Sequence, residues 1–204
     1  MSYPWPDSVA AFAASADWFV ATAATVGRRW ALPGLGEWDV RALVGHTSRS
    51  LLTVEAYLAQ PAAAVEVDST AAYYVATSEL AAGPQVAQRG RDAGGALGED
   101  PAGAVALIAE RVVPLLAGCN GSELVTTIAG GMRLADYLPT RTFELVVHTA
   151  DLCVALGQEP DPPPQGAAQA LLLVGELALA GGRAGRLLLA ATGRNGLPPG
   201  FTVL

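Results

Sequence analysis

Apolar residues recur at intervals of three and four along most of this chain, and glycine and proline mark the breaks between them. Phe12, Ala16, Phe19, Ala23 and Val26 predict an amphipathic helix over about 8–28. Tyr3-Pro-Trp-Pro6 is read as an extended lead-in to it, with Asp7 or Ser8 as the cap. Leu32-Pro-Gly-Leu-Gly36 breaks the pattern. A second helix runs from near Trp38-Asp39 to about Ala59, with Val40, Leu43, Val44, Thr47, Leu51, Val54 and Leu58 on its core face and Pro61 beyond its end. Residues 61–71 read as a loop and 71–89 as a third helix, whose Tyr73 and Tyr74 fit core, rim or substrate contacts, with core the default. Gly90 to Gly98 reads as a flexible connection without a phosphate-loop signature. Pro101 opens a helix to about Ala117, and Leu124-Val-Thr-Thr-Ile128 suggests an extended loop or short strand. A long helix follows over about 134–156, with Pro139 suited to a first turn and Gly157 to a C-terminal stop. Glu159-Pro-Asp-Pro-Pro-Pro164 is a rigid linker. Two more apolar helical pieces, 167–180 and 183–192, precede a tail over 193–204. Five or six helices with almost no strand signal predict an all-α, up-and-down four-helix bundle with additional short helices, forming one domain over 1–204.

The 134–156 helix differs from the others in where its polar residues fall. At 100° per residue, Arg141, Glu144, His148 and Asp151 lie within roughly 80° of one another. Leu145, Val146, Val147, Leu152, Cys153 and Leu156 cover most of the remaining surface, with Phe143 on one flank. A helix so apolar around its circumference is buried on most sides. A buried carboxylate on its stripe then needs a partner.

Composition narrows the function classes. Of 204 residues, 51% are hydrophobic and only 15% charged, against a usual ~25% charged. Such a chain buries much of its surface and allows an oligomer such as a homodimer. A formal charge of −7 excludes the basic footprint that nucleic acid requires. All twelve cationic side chains are arginines. Cys119 and Cys153 have no metal or redox spacing and suggest no disulfide framework, and Cys153 lies opposite the polar stripe as a small buried hydrophobe. The N-terminus has no basic signal-peptide region, and the apolar run around Leu171 to Ala180 contains Glu176 and is too short to span a bilayer. A cytoplasmic protein with no membrane partner is expected.

The chain holds two histidines, His46 at the edge of the second helix's core face and His148 on the polar stripe. Glu144 and His148, at i and i+4, sit about 6 Å apart at Cβ and can point at one shared atom. With His46 they supply two imidazoles and a carboxylate, the donor set of a zinc site with one position open. Asp151 would orient a ligand from outside that set. Arg141 would pair with Glu144 or hold an anion. The plainer account pairs Glu144 with Arg141 and His148 with Asp151 and leaves His46 unrelated. Nucleophile-elbow, HExxH and dinucleotide-binding patterns are absent.

Three segments add a resemblance. Trp38-Asp-Val-Arg-Ala-Leu-Val-Gly-His46, Leu138-Pro-Thr-Arg-Thr-Phe-Glu-Leu-Val-Val-His-Thr-Ala-Asp151 and the closing Ala191-Thr-Gly-Arg-Asn-Gly-Leu-Pro-Pro-Gly-Phe201 resemble the mycothiol-dependent maleylpyruvate isomerase N-terminal family. The resemblance implies a DinB/YfiT-like four-helix bundle. It also implies His46, Glu144 and His148 as ligands of a divalent metal, zinc first and nickel as its rival. Mycothiol would be the cosubstrate and a small electrophile the substrate. Read as one domain, the chain departs from the isomerase itself, which adds a smaller C-terminal domain to its active site. A stand-alone thiol transferase is therefore expected ahead of maleylpyruvate isomerisation. Asp151 or a bound water would move protons, and Arg141 and Arg49 would bind carboxylates. Two other classes stay open: a helical module, with or without metal, that acts by association, and a thiol-independent metal hydrolase.

Overall fold

The structure, a computed structural model, describes residues 4–81 and 85–204. Eight helices and two small two-stranded sheets make up the described residues, and the fold is all-α. The helices are α1 (Trp5–Ala24), α2 (Val40–Leu58), α3 (Thr70–Ala81), α4 (Gln85–Ala96), α5 (Pro101–Val112), α6 (Leu134–Ala155), α7 (Pro164–Ala180) and α8 (Ala184–Ala191). A short pair, β1 (Pro33–Leu35) with β2 (Trp38–Asp39), precedes α2, and the hairpin β3 (Leu124–Thr127) with β4 (Gly130–Arg133) feeds α6.

Four helices form the bundle, with α1 and α2 each packed between α5 and α6. Phe12 and Phe19 from α1, Leu43 and Leu51 from α2, and Leu138, Leu145 and Leu152 from α6 are fully buried there. Each is worth roughly 1.5–3 kcal/mol of apolar burial. Helix α7 closes one side, laying Ala170, Leu173 and Leu177 against Phe143 and Val146. Buried hydroxyls in these helices bond to the preceding turn, Ser15 to the carbonyl of Ala11 at 2.7 Å and Thr47 to that of Leu43 at 2.8 Å. The stretch Pro101–Gly118 is long and apolar enough to cross a membrane. Here it is α5 running into a 3-10 turn at Val113–Gly118, and Val105, Val112 and Leu116 are buried in the bundle core.

Several boundaries differ from the sequence expectations, each for a local or tertiary reason. Tyr3 lies outside the described residues, but Trp5 and Pro6 already belong to α1. Pro4 is the N-cap, so Asp7 and Ser8 sit in the first turn rather than capping it. Pro164 opens α7 instead of ending the linker, because a proline at N1 has no hydrogen bond to lose. Pro139 lies inside α6 rather than in its first turn. The helix itself starts at Leu134 as expected, with Leu134 N–H donating to the Glu123 carbonyl at 2.8 Å and Ala135 N–H to that of Gly121 at 3.0 Å. Those two bonds satisfy donors that a helix start otherwise leaves bare.

The largest difference concerns residues 71–98. Residues 82–84, within the expected 71–89 helix, lie outside the described residues. The glycine-rich segment expected to be a flexible connection is helical through Ala96. Its glycines let α4 lie against α2 backbone to backbone. A Cβ at Gly45 would come within 2.1 Å of the Gly94 nitrogen, and one at Gly90 within 2.5 Å of the Trp38 indole. Side chains from the α2 region fasten the contact. Trp38 Nε1–H donates to the Ala87 carbonyl at 2.9 Å, and Arg41 donates to the carbonyls of Gly94 and Gly98. Tertiary packing here overrides the low helix propensity of glycine.

Candidate metal centre

Helix α2 carries His46 to the site, and its register is set at its first residue. Asp39 caps the helix, its carboxylate accepting from Ala42 N–H at 2.7 Å. Trp38, just before the cap, is pinned by α4 and lays its ring against His46, with centroids 4.5 Å apart and planes at 33°. Helix α6 supplies Glu144 and His148 one turn apart, with His148 Nε2 3.2 Å from Glu144 Oε2. One ligand atom from each of His46, Glu144 and His148 lies within 4.8 Å of the others. The three residues that sequence spacing brought together are thus together in space.

The neighbours of this trio orient it. Asp151 Oδ2 lies 3.0 Å from His148 Nδ1. With Nδ1 donating to the carboxylate, Nε2 is the nitrogen that faces the shared space, the arrangement found around many metal-bound histidines. Tyr74, on α3, donates its hydroxyl to Glu144 Oε1 at 2.9 Å. Core was the default expectation for this tyrosine, with rim and substrate contact as alternatives, and the structure adds a bond to a site carboxylate. Its reach depends on the placement of α3, which long-range contacts fix. The loop before α3 is tied to the β3–β4 hairpin through Gly131 N–H and the Glu66 carboxylate at 2.7 Å. The helix start is tied to α6 through Thr70 Oγ1 and the Asp136 carbonyl at 2.8 Å.

Charge is divided unequally among the ligands. Burial pushes the His46 pKa down, and the charge of His148 adds to this, to about 4, so His46 is neutral at pH 7. Burial also works against charge on His148. Its hydrogen bonds to Asp151 and Glu144 outweigh that and raise it to about 9. For Glu144 burial favours the neutral acid, but the His148 bond, the Arg141 charge and the Tyr74 hydroxyl hold its carboxyl at about 2.

The other two residues singled out by sequence sit nearby with different partners. Arg141 makes no ion pair with Glu144 among the described residues. Its guanidinium lies over the rings of Tyr137 and Tyr73, 5.1 and 5.5 Å from their centroids, and its Nε–H donates to Thr140 Oγ1 at 2.9 Å. Arg49, one turn beyond His46, is half-buried, and its guanidinium has no hydrogen-bond or ion-pair partner among the described residues. Both present unshared N–H donors next to the trio. A separate cavity of about 240 Å³ between α3, α6 and α7, lined by Thr70, Asp136, Pro139, Gln169 and Leu173 among others, includes none of these site residues.

The donor set suits a divalent cation. Two imidazoles and one ionised carboxylate converge, and their partial exposure leaves them open to solvent. His46 Nδ1 is buried with no hydrogen-bond partner among the described residues, a condition that costs about 1–3 kcal/mol when nothing satisfies the group. The protein alone therefore leaves the ring's bonding incomplete.

Comparison with known proteins agrees with this geometry. No curated protein matches the chain, and no solved structure matches it. The family described as mycothiol maleylpyruvate isomerase N-terminal domain matches residues 9–153, a stretch that spans α1 through most of α6 and contains every residue of the trio. The chain belongs to the mycothiol maleylpyruvate isomerase N-terminal domain family.

Proposed function

We propose that this protein is a metal-dependent enzyme that uses a low-molecular-weight thiol, mycothiol, to act on a small electrophile, as a transferase or an isomerase. The observation that carries the reading is the convergence of His46, Glu144 and His148 within 4.8 Å. These three residues would hold one divalent ion, zinc ahead of nickel given two imidazoles and one carboxylate. When bound, the ion lowers the pKa of a thiol at its open position, so that the sulfur is a thiolate at neutral pH.

The remaining roles belong to the chain. Asp151 fixes the His148 tautomer by accepting at Nδ1. It is also the more exposed of the carboxylates on His148, able to pass a proton to solvent. Arg49 and Arg141 offer guanidinium donors to an anionic group of the thiol or the substrate. Tyr73 and Tyr137 hold the Arg141 guanidinium in place from its faces. The trio is partly exposed, with side-chain exposures of 16% for His148 and 21% for Glu144, which keeps it in contact with solvent.

The test is elemental analysis of untagged protein beside His46→Ala and Glu144→Ala, followed by consumption of mycothiol in the presence of small electrophiles. Near-stoichiometric zinc or nickel, lost in both variants and accompanied by thiol consumption in wild type alone, is expected. Protein that takes up no metal after incubation with zinc overturns the reading. Metal without turnover removes the enzyme and leaves a metal-binding module.

A further inference from the structure

Glu144 has two carboxylate oxygens, and the structure engages them separately. Oε2 faces His148 Nε2 at 3.2 Å, in the space shared with His46. Oε1 accepts the Tyr74 hydroxyl at 2.9 Å. That hydroxyl has one hydrogen, and its alternative acceptor, the Thr140 carbonyl, is farther at 3.3 Å and uncharged. A hydrogen bond to an ionised oxygen is roughly twice as strong as one between neutral groups, so the hydrogen goes to Glu144.

The tyrosine is not free to turn away. Its ring stands edge-on to Tyr73, with centroids 5.7 Å apart and planes at 86°, and to Phe143, at 5.5 Å and 75°. Tyr74 comes from α3, whereas the three ligands come from α2 and α6.

We infer that Tyr74 is a positioning residue that occupies Oε1 and limits Glu144 to binding through Oε2 alone. The inference rests on the metal-centre reading above. A carboxylate that grips an ion through both oxygens fills two positions, whereas one oxygen and two imidazoles make three protein bonds and leave a position for an incoming ligand. Tyr74 thereby keeps the centre open for exchange, a role separate from holding the ion. Hydrogen bonds of this kind around metal ligands are worth about 10–100-fold in affinity or activity.

Tyr74→Phe removes one hydroxyl and keeps the ring. Thr77→Val removes another buried hydroxyl of the same helix, one that bonds to the Tyr73 carbonyl at 2.8 Å, and controls for loosening of α3. Each variant and wild type would be loaded with Co²⁺, whose visible absorption weakens as coordination number rises, and titrated with zinc against a chelator. In Tyr74→Phe alone, the cobalt spectrum is expected to shift toward higher coordination and zinc affinity to change by about tenfold or more. A Tyr74→Phe spectrum and affinity equal to wild type overturn the inference, as does an equal change in Thr77→Val. Wild type that binds neither ion overturns instead the reading on which it rests.

Discussion

His46 and His148 meet edge to face, their ring centroids 4.9 Å apart and their planes at 85°, although they stand on different helices far apart in sequence. Two imidazoles this close are poor company for two positive charges. His46 is driven down to about 4, by burial first and by the His148 charge next, while His148 is held up at about 9 by Asp151 and Glu144 against the effect of burial. At pH 7 the metal-free pair therefore holds one proton, and it resides on His148. An imidazole that ligates a cation must give up the proton on the ligating nitrogen. Zinc uptake at pH 7 is expected to release about one proton per site, and affinity to rise about tenfold per pH unit until it levels near pH 9. Calorimetry in buffers of differing ionisation enthalpy reads this directly. Uptake without proton release at pH 7 would show that His148 is neutral.

The same titrations shape the stability of metal-free protein. Glu144 has a folded pKa below its unfolded value, so its contribution is present above the ordinary pKa of 4.5 and is lost as pH falls toward 2. His148 has a raised folded pKa, so its contribution is full below 6.5 and disappears as pH rises through about 9. His46 has a lowered one. The unfolded chain takes up that proton below 6.5 and the folded chain only near 4, so His46 costs stability as pH falls across that interval. Melting temperature is expected to be highest near pH 6.5, with a shallower alkaline limb in His148→Gln and a shallower limb between pH 6.5 and 4 in His46→Gln. Unchanged limbs would count against the assigned titrations.

Asp151 tests the orientation of the ligand apart from its identity. Its carboxylate accepts from His148 Nδ1 and is the larger of the two hydrogen-bond influences raising that imidazole's pKa. Asp151→Ala should lower zinc affinity about 10–100-fold without abolishing binding. Asp151→Asn keeps an acceptor but not the charge and should cost less. In both variants the pH at which uptake stops releasing a proton should move below 9. An affinity equal to wild type in the alanine variant would reduce Asp151 to a surface carboxylate.

The polar stripe on α6 was legible because an uninterrupted helix converts sequence spacing into angle. Arg141, Glu144, His148 and Asp151 needed only the period of the helix to be placed on one side. His46 was legible through its rarity and its place at the edge of its helix's core face. What escaped depends on contacts between distant segments. Tyr73 and Tyr74 are adjacent, and only the seating of α3 on α6 sends one toward Arg141 and the other onto Glu144. Arg141 turned to aromatic faces rather than to Glu144 because Tyr73 and Tyr137 arrive from two different helices, one of them α6 itself. The glycines of α4 read locally as a flexible segment, and their reason is visible only against α2.

Glycines on the two sides of that contact yield the sharpest stability prediction, because Gly45 of α2 and Gly94 of α4 have the opposite expectation from Gly95 of α4. A Cβ on Gly45 would lie 2.1 Å from the Gly94 nitrogen, and one on Gly94 would lie 2.7 Å from the Arg41 carbonyl oxygen. The obstructing atoms are backbone, so α2 and α4 must separate to admit a methyl group. Overpacking of this kind costs about 1–3 kcal/mol, and in a chain of this size each kcal/mol lowers the melting temperature by about 2–4 °C. Gly45→Ala and Gly94→Ala should each melt several degrees below wild type. Gly95 is exposed in the same helix with nothing within 4 Å of its Cβ position, and its φ is not positive. Gly95→Ala should gain about 0.5–1 kcal/mol from helix propensity and lost chain entropy. Separation of the two helices would also release Trp38 from Gly90 and so loosen the ring that backs His46. Gly45→Ala is therefore expected to weaken zinc binding as well as stability, while Gly95→Ala leaves zinc binding unchanged. Thermal melts and chelator competition on the three variants check both halves, and a Gly45→Ala protein that melts with wild type would show that the two helices do not approach this closely.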